Sequence, residues 1–275
     1  MTRYAAGLTW GEGPRWHDGA LWASDPQRGG IWTDRSGAWT FTALTSRSNG
    51  LWFLPDGRLV GAVTTERRVG AWNGTEFAPY ADLSAVATGP LGDMVGDAHG
   101  GLYVDDVGYT AHLGEEPKPG RIVHVGADGQ ARIAAEGVQF PNGLAFIDDG
   151  RVLVVAETWE QRLMAYTVRP DGTLTDPRLY ADLRKAAGPE ARPDGICATA
   201  DGTGVWACTL TGHSVVRVTP DGVDHILDFA PGSPVACTTD GRSRLFVTVA
   251  NSGGRPVMQA VADKTVTSSV EVIDL

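Results

Sequence analysis

The chain has 275 residues, 42% hydrophobic and 20% charged, the balance of a soluble globular protein with a sizeable core. Its formal charge of −10 argues against nucleic acid or an anionic membrane as partner, because both demand a basic surface. No run of about 18 apolar residues occurs to span a membrane, and the opening MTRYAAGLTWGEGPRW has no uninterrupted apolar stretch of the kind that marks a secretory signal.

In chain order, Arg3 to Thr9 come first and have no partner of their own. From Glu12 onward one phrase returns six times: a lead residue with Gly or a substitute, an apolar strand, a turn, and a second apolar strand. It reads EGPRWHDGALWASD from Glu12, NGLWFLPDGRLVGAV from Asn49 and GDMVGDAHGGLYVDD from Gly92. It returns as NGLAFIDDGRVLVVAE from Asn142, DGICATADGTGVWACT from Asp194 and SPVACTTDGRSRLFVTV from Ser233. Gly19, Gly57, Gly100, Gly150, Gly202 and Gly241 mark the turns, and two further strand-like runs follow each phrase. Successive lead residues lie 37 (Glu12 to Asn49) to 52 (Asn142 to Asp194) positions apart, the spacing of four-stranded propeller blades.

The expected fold is therefore all-β, a six-bladed β-propeller with four strands per blade, and residues 1–275 are read as a single domain with no linker. The residues after Ser233 are tight for a full blade, so the N-terminal segment is expected to close the last blade beside SSVEVID and remove an exposed edge. Only Asp182 to Ala191 has the character of a short helix. Trp16, Trp22, Trp52 and Trp206 are expected to fill wedges between sheets. Cys197, Cys208 and Cys237, an odd count without a secretion signal, read as small buried hydrophobes in a reducing cytoplasm rather than a disulfide framework.

In a closed ring the lead residues Glu12, Asn49, Gly92, Asn142, Asp194 and Ser233 should meet at one mouth of the channel. Two carboxylates and two carboxamides there make a hard oxygen donor set suited to calcium, magnesium, manganese or zinc. Asn-Gly and Asp-Gly are also plain turn formers. That reading does not extend to Glu12, which has no special liking for turns.

GEGPRW, PNGLAF with VVAET, and RPDGIC together resemble the senescence-marker-protein/gluconolactonase/luciferin-regenerating-enzyme-like family, which includes regucalcin, over residues 8 to 250. The resemblance implies a six-bladed propeller with one divalent cation held by Glu12, Asn142 and Asp194, calcium first among the candidates, and hydrolysis of sugar or other lactones. Two departures stand out: Gly92 and Pro90 replace an Asn and an Arg of the family pattern. They put a gluconolactone-type substrate in question and imply extra room beside the cation.

A divalent ion in such a pocket acts as a Lewis acid on a carbonyl oxygen and lowers the pKa of bound water, and Asp194 is the candidate base for the attacking water. Candidate substrate contacts are Asp93, Asp106, Tyr109, Glu157 and Arg192. The long loop 107–119 is a candidate lid, with Tyr109 and His112 reaching the ligand. The reading is a metal-dependent lactonase acting on a small molecule, cytoplasmic, a monomer or small homo-oligomer. Its alternatives are a non-hydrolytic propeller enzyme of specialised metabolism and a non-catalytic metal- or ligand-binding propeller.

Overall fold

The computed structural model describes residues 1–110 and 113–275, and it is a six-bladed β-propeller of four-stranded antiparallel sheets. The innermost strands, one per blade in chain order, are Glu12–His17, Ser48–Phe53, Leu91–Gly96, Pro141–Ile147, Pro193–Ala198 and Ser233–Thr239. Each touches the next, and the sixth touches the first, so the ring is closed. Closure follows the expected route. Strand Thr2–Leu8 pairs antiparallel with Thr267–Asp274, bringing Thr2 opposite Val272 and Leu8 opposite Ser268, and so completes blade 6.

The repeated phrase has two physical jobs. Its second glycine makes the hairpin: Gly57, at φ 84°, has the left-handed backbone that a tight turn needs and that a Cβ disfavours. The glycine after the lead residue does not serve the plain-turn alternative. Gly143 and Gly195 lie inside innermost strands, at a register shift that recurs near the start of all six. A Cβ on Gly143 would sit 2.3 Å from the Ile196 amide nitrogen, and one on Gly195 would sit 2.5 Å from the Ala236 Cβ. These glycines let neighbouring blades approach backbone to backbone around the axis, while the bulge re-aims the lead side chain.

Away from the axis the blades splay, and large side chains fill the wedges. Separate apolar clusters lie between blades 1 and 2, 2 and 3, 3 and 4, 4 and 5, 5 and 6, and 6 and 1. Trp22 and Trp206 are buried in two of them, Trp52 packs against two, and Trp16 covers the cluster at the closure. The cysteines are free; the Cys197 sulfur approaches Cys237 of the next blade at 3.5 Å, not Cys208 of its own.

Among the described residues, helix is confined to two short pieces. The first, α1 (Leu183–Ala187), falls inside the expected stretch, and the Asp182 side chain caps it. The second, α2 (Val257–Ala262), has no sequence signal that was recognised: Pro256 sits at its N-cap and no side chain caps it. It bridges two strands of blade 6 on the face where the lead residues lie. Among the described residues no helix is long and apolar enough to cross a membrane.

Candidate active site at the channel mouth

The bulge at the start of each innermost strand brings Glu12, Asn142 and Asp194 to the same mouth from blades 1, 4 and 5. The Asn142 Nδ2 donates to Asp194 Oδ1 at 2.5 Å and to Thr158 Oγ1 at 3.3 Å. Thr158 in turn donates to the Pro193 carbonyl at 2.8 Å, tying blade 4 to blade 5 directly under the pair. Glu12 accepts from the Trp10 indole N–H at 2.8 Å. Trp10 is fixed through its backbone: the Asp25 carboxylate takes the N–H groups of Thr9 and Trp10 at 2.8 and 3.1 Å.

These carboxylates are out of water. Glu12 is 9% exposed and Asp194 4%. Burial raises the Asp194 pKa to about 7, against the hydrogen bond from Asn142, with the Asp93 charge adding to the rise. Burial, followed by the charge of Asp194, pushes Glu12 well above the usual carboxylate range. Asp93, 5% exposed, lies just below the mouth and is paired with the buried Arg15 at 2.9 Å. Arg15 also donates to the carbonyls of Met94 and Pro14 at 2.6 and 2.7 Å, and its guanidinium stacks over Trp52 at 5.3 Å. It separates the mouth from a cavity of about 370 Å³ at the opposite end of the channel, lined by Arg15, Trp52, Phe146 and Cys197 among others.

The room expected beside Gly92 is filled. A Cβ on Gly92 would lie 2.4 Å from Asp105 Oδ1, because the Asp105 carboxylate reaches across from the adjacent strand of blade 3. It accepts the N–H groups of Gly92 and Asp93 at 2.6 and 2.8 Å, and burial pushes its pKa well up. The missing lead side chain is thus replaced by a carboxylate from the neighbouring strand, and this corrects the expectation of extra space.

The other expected contacts are placed as follows. Asp106 is fully buried and takes the N–H groups of Thr88, Gly89 and Gly108 at 2.7 to 3.0 Å. Glu157 accepts from the Gln139 N–H at 2.8 Å and Arg162 Nε at 2.5 Å. With Asp25, these side chains occupy equivalent positions in blades 1, 3 and 4, and each anchors the loop that leads into its own blade. Tyr109 and Arg192 gather at Trp159, to the side of the mouth: the indole donates to the Tyr109 hydroxyl at 3.0 Å, and the Arg192 guanidinium lies 6.0 Å from the ring. Arg192 is also paired with Glu190 at 2.7 Å. His112 lies outside the described residues.

Sequence reasoning missed Trp10, Arg15, Asp25 and Thr158. Arg15 and Trp10 were within its reach, since each sits two or three residues from Glu12, Trp10 in the bend before the strand and Arg15 on the strand itself. Thr158 gave no local signal, because its partners come from another blade.

The donor set suits a hard divalent cation. Glu12, Asp93, Asp105 and Asp194, all buried, face a single guanidinium, Arg15, and such a surplus either holds protons or takes a positive ion. The Asn49 Oδ1, another ring oxygen, is buried without a donor. Among the described residues no three His, Cys, Asp or Glu side chains converge as a metal cage; the set here is two carboxylates with an amide.

Comparison with known proteins agrees with this architecture. The family model for the SMP-30/Gluconolactonase/LRE-like region matches residues 10–251. L-arabinolactonase of Azospirillum brasilense is 32% identical over 123 residues, 44% of this chain and only 40% of that enzyme. A gluconolactonase of Xanthomonas campestris superposes with a TM-score of 0.75 at 22% identity, covering 97% of this chain and 87% of that one. Regucalcin of Agrobacterium tumefaciens, described as a calcium-binding protein, gives 0.78 at 19% identity, covering 98% and 94%. At these identities the structural likeness is one of fold.

Proposed function

Because this chain belongs to the SMP-30/gluconolactonase/LRE-like family, we propose that it hydrolyses a lactone at the channel mouth. The observation that carries the reading is the contact of Asn142 with a buried Asp194 whose pKa burial raises to about 7, beside the second buried carboxylate, Glu12. Opening a lactone requires a group that takes a proton from water near neutral pH, and a carboxylate lifted to that range is matched to the task.

In this reading Asp194 accepts the proton of the attacking water. The water oxygen bonds to the acyl carbon, the ring C–O bond breaks, and the proton passes on to the released alkoxide, giving a hydroxy acid. Asn142 and Thr158 hold Asp194 in place, Trp10 and Asp25 do the same for Glu12, and Arg15 neutralises Asp93 and floors the site. Glu12, Asn142 and Asp194 would hold a divalent cation, and when bound it supplies Lewis acidity toward the lactone carbonyl. Calcium is the first candidate, given the description of the regucalcin relative. Residues 1–275 act as one domain on a small molecule.

The test is a panel of five- and six-membered lactones scored for acid release, with and without chelator. Hydrolysis that chelation abolishes and calcium restores is the expected result. A protein that binds cation but opens no lactone would overturn the hydrolase reading, and full activity in chelator would overturn the cation's part in it.

A further inference from the structure

Over the mouth lies a cleft of about 710 Å³, bounded by blades 1, 2 and 3 and by α2 of blade 6. Trp10 lines it, and the same indole donates to Glu12, so this side chain joins the cleft to the candidate site. Its charge is opposite to that of the molecule. The protein carries 33 Asp and Glu against 23 Lys and Arg, yet among the described residues Arg47, Arg67 and Lys264 line the cleft and no carboxylate does. Among the described residues none of the three makes an ion pair; they differ in this from Arg58, Arg68 and Arg151 elsewhere on the protein. Among the described residues their one side-chain hydrogen bond runs from Arg67 to the Ala87 carbonyl at 3.2 Å.

A second observation points the same way. Thr64, on the wall next to these cations, has a hydroxyl buried without a partner. A site built for the hydroxyls of a neutral sugar lactone would offer acceptors such as carboxylates along its wall. This wall offers N–H and O–H donors against an apolar surface of Trp10, Pro90, Leu113 and Val261. Three cations without ion-pair partners among the described residues also counter, at close range, the repulsion that a strongly acidic protein exerts on an anion.

We propose that this cleft is an anion subsite, formed by Arg47, Arg67 and Lys264, and that the substrate is a lactone bearing a negatively charged substituent, a carboxylate or a phosphate. The inference rests on the lactone-hydrolase reading and adds the class of substrate. Arg47 and Lys264 engage the anion, and Thr64 donates its hydroxyl to it. The lactone ring then lies against Trp10 and Pro90, above Glu12 and Asp194.

The experiment compares kcat/KM for one lactone ring in three forms: neutral, carboxylate-bearing and phosphate-bearing. The expected result is a preference of at least about tenfold for one anionic form, the span of one charge-assisted hydrogen bond. The Arg47→Gln, Lys264→Gln double variant should cut that preference about tenfold or more, chiefly through KM, and added salt should cut it in the wild type. Equal rates for neutral and anionic rings, or a preference the double variant leaves unchanged, would overturn the subsite. If no lactone is opened the hydrolase reading fails, and the subsite is then judged by calorimetric titration with malate and with inorganic phosphate. Salt-sensitive binding lost in the double variant sustains it, and absence of binding to the wild type ends it.

Discussion

Asn142 turns its amide nitrogen, not its oxygen, toward Asp194, across 52 residues of chain. The arrangement is a compromise: the N–H eases a carboxylate that burial holds at a pKa of about 7. Half a turn of the amide exchanges donor for acceptor and would set two oxygens side by side, the geometry a cation asks for. One side chain thus serves the pair with or without an ion.

Replacing Asp194 by Asn keeps the shape and removes the base. Turnover on any accepted lactone should fall by at least about 100-fold, the lower range for general-base help. The measurement is kcat at saturating substrate, beside a melting curve that shows the variant folded. A loss of less than tenfold would remove Asp194 from the proton-transfer step.

Glu12→Gln should change the melting temperature in opposite directions depending on the medium. In chelator the variant no longer buries a second carboxylate beside Asp194, so it should melt higher than wild type. In millimolar calcium the order should invert, because the wild type gains about 2.7 kcal/mol when the ion stands at 100 times its dissociation constant. Melting curves that keep the same order in both media would detach Glu12 from the cation.

The pH dependence follows from Asp194. Its folded pKa of about 7 exceeds the ordinary 3.8, so between these values the folded state holds the extra proton. In cation-free protein its contribution therefore falls as pH rises through that window, by no more than about 4 kcal/mol at 1.4 per unit. Calcium needs the carboxylate form, so the rise in melting temperature that calcium produces should be larger at pH 8 than at pH 5.5. The difference between calcium and chelator at each pH isolates the cation site, Asp194 together with Glu12. Equal increments at both pH values would mean that the ion binds elsewhere.

Gly143→Ala tests the close approach of blades 4 and 5. The added methyl would sit 2.3 Å from a backbone nitrogen, which no rotamer change relieves. A loss of about 1–3 kcal/mol or more is expected from urea unfolding, with cation affinity falling as the Asn142–Asp194 contact is pushed apart. Gly57→Ala, at a turn with open space but positive φ, should cost less and leave cation affinity alone.

How far the sequence revealed this molecule depended on whether a feature repeats. The blades, the closing strand and the shared mouth of Glu12, Asn142 and Asp194 all follow from a phrase written six times, so a local pattern stood for a global one. The glycine after each lead residue was visible but its purpose was not, because the atoms it makes room for belong to the next blade. Asp105 is the sharper case. Where it stands, blades 1, 4, 5 and 6 carry Ser24, Ala156, Cys208 and Ala250, so a lone charge facing a lone Gly92 was a readable sign of compensation. The cationic cleft could not be read, since Arg47, Arg67 and Lys264 are scattered in loops with no motif, and α2 lacked capping signals.

Thr2–Leu8 precedes every other strand described, and its partner Thr267–Asp274 follows them all. Without that last strand the leading segment has nothing to clasp, and the bend holding Trp10, just ahead of Glu12, has no fixed seat. Two ends of the chain therefore hold one carboxylate: a chain cut short before Thr267–Asp274 keeps Asn142 against Asp194 but loses the clasp behind Glu12.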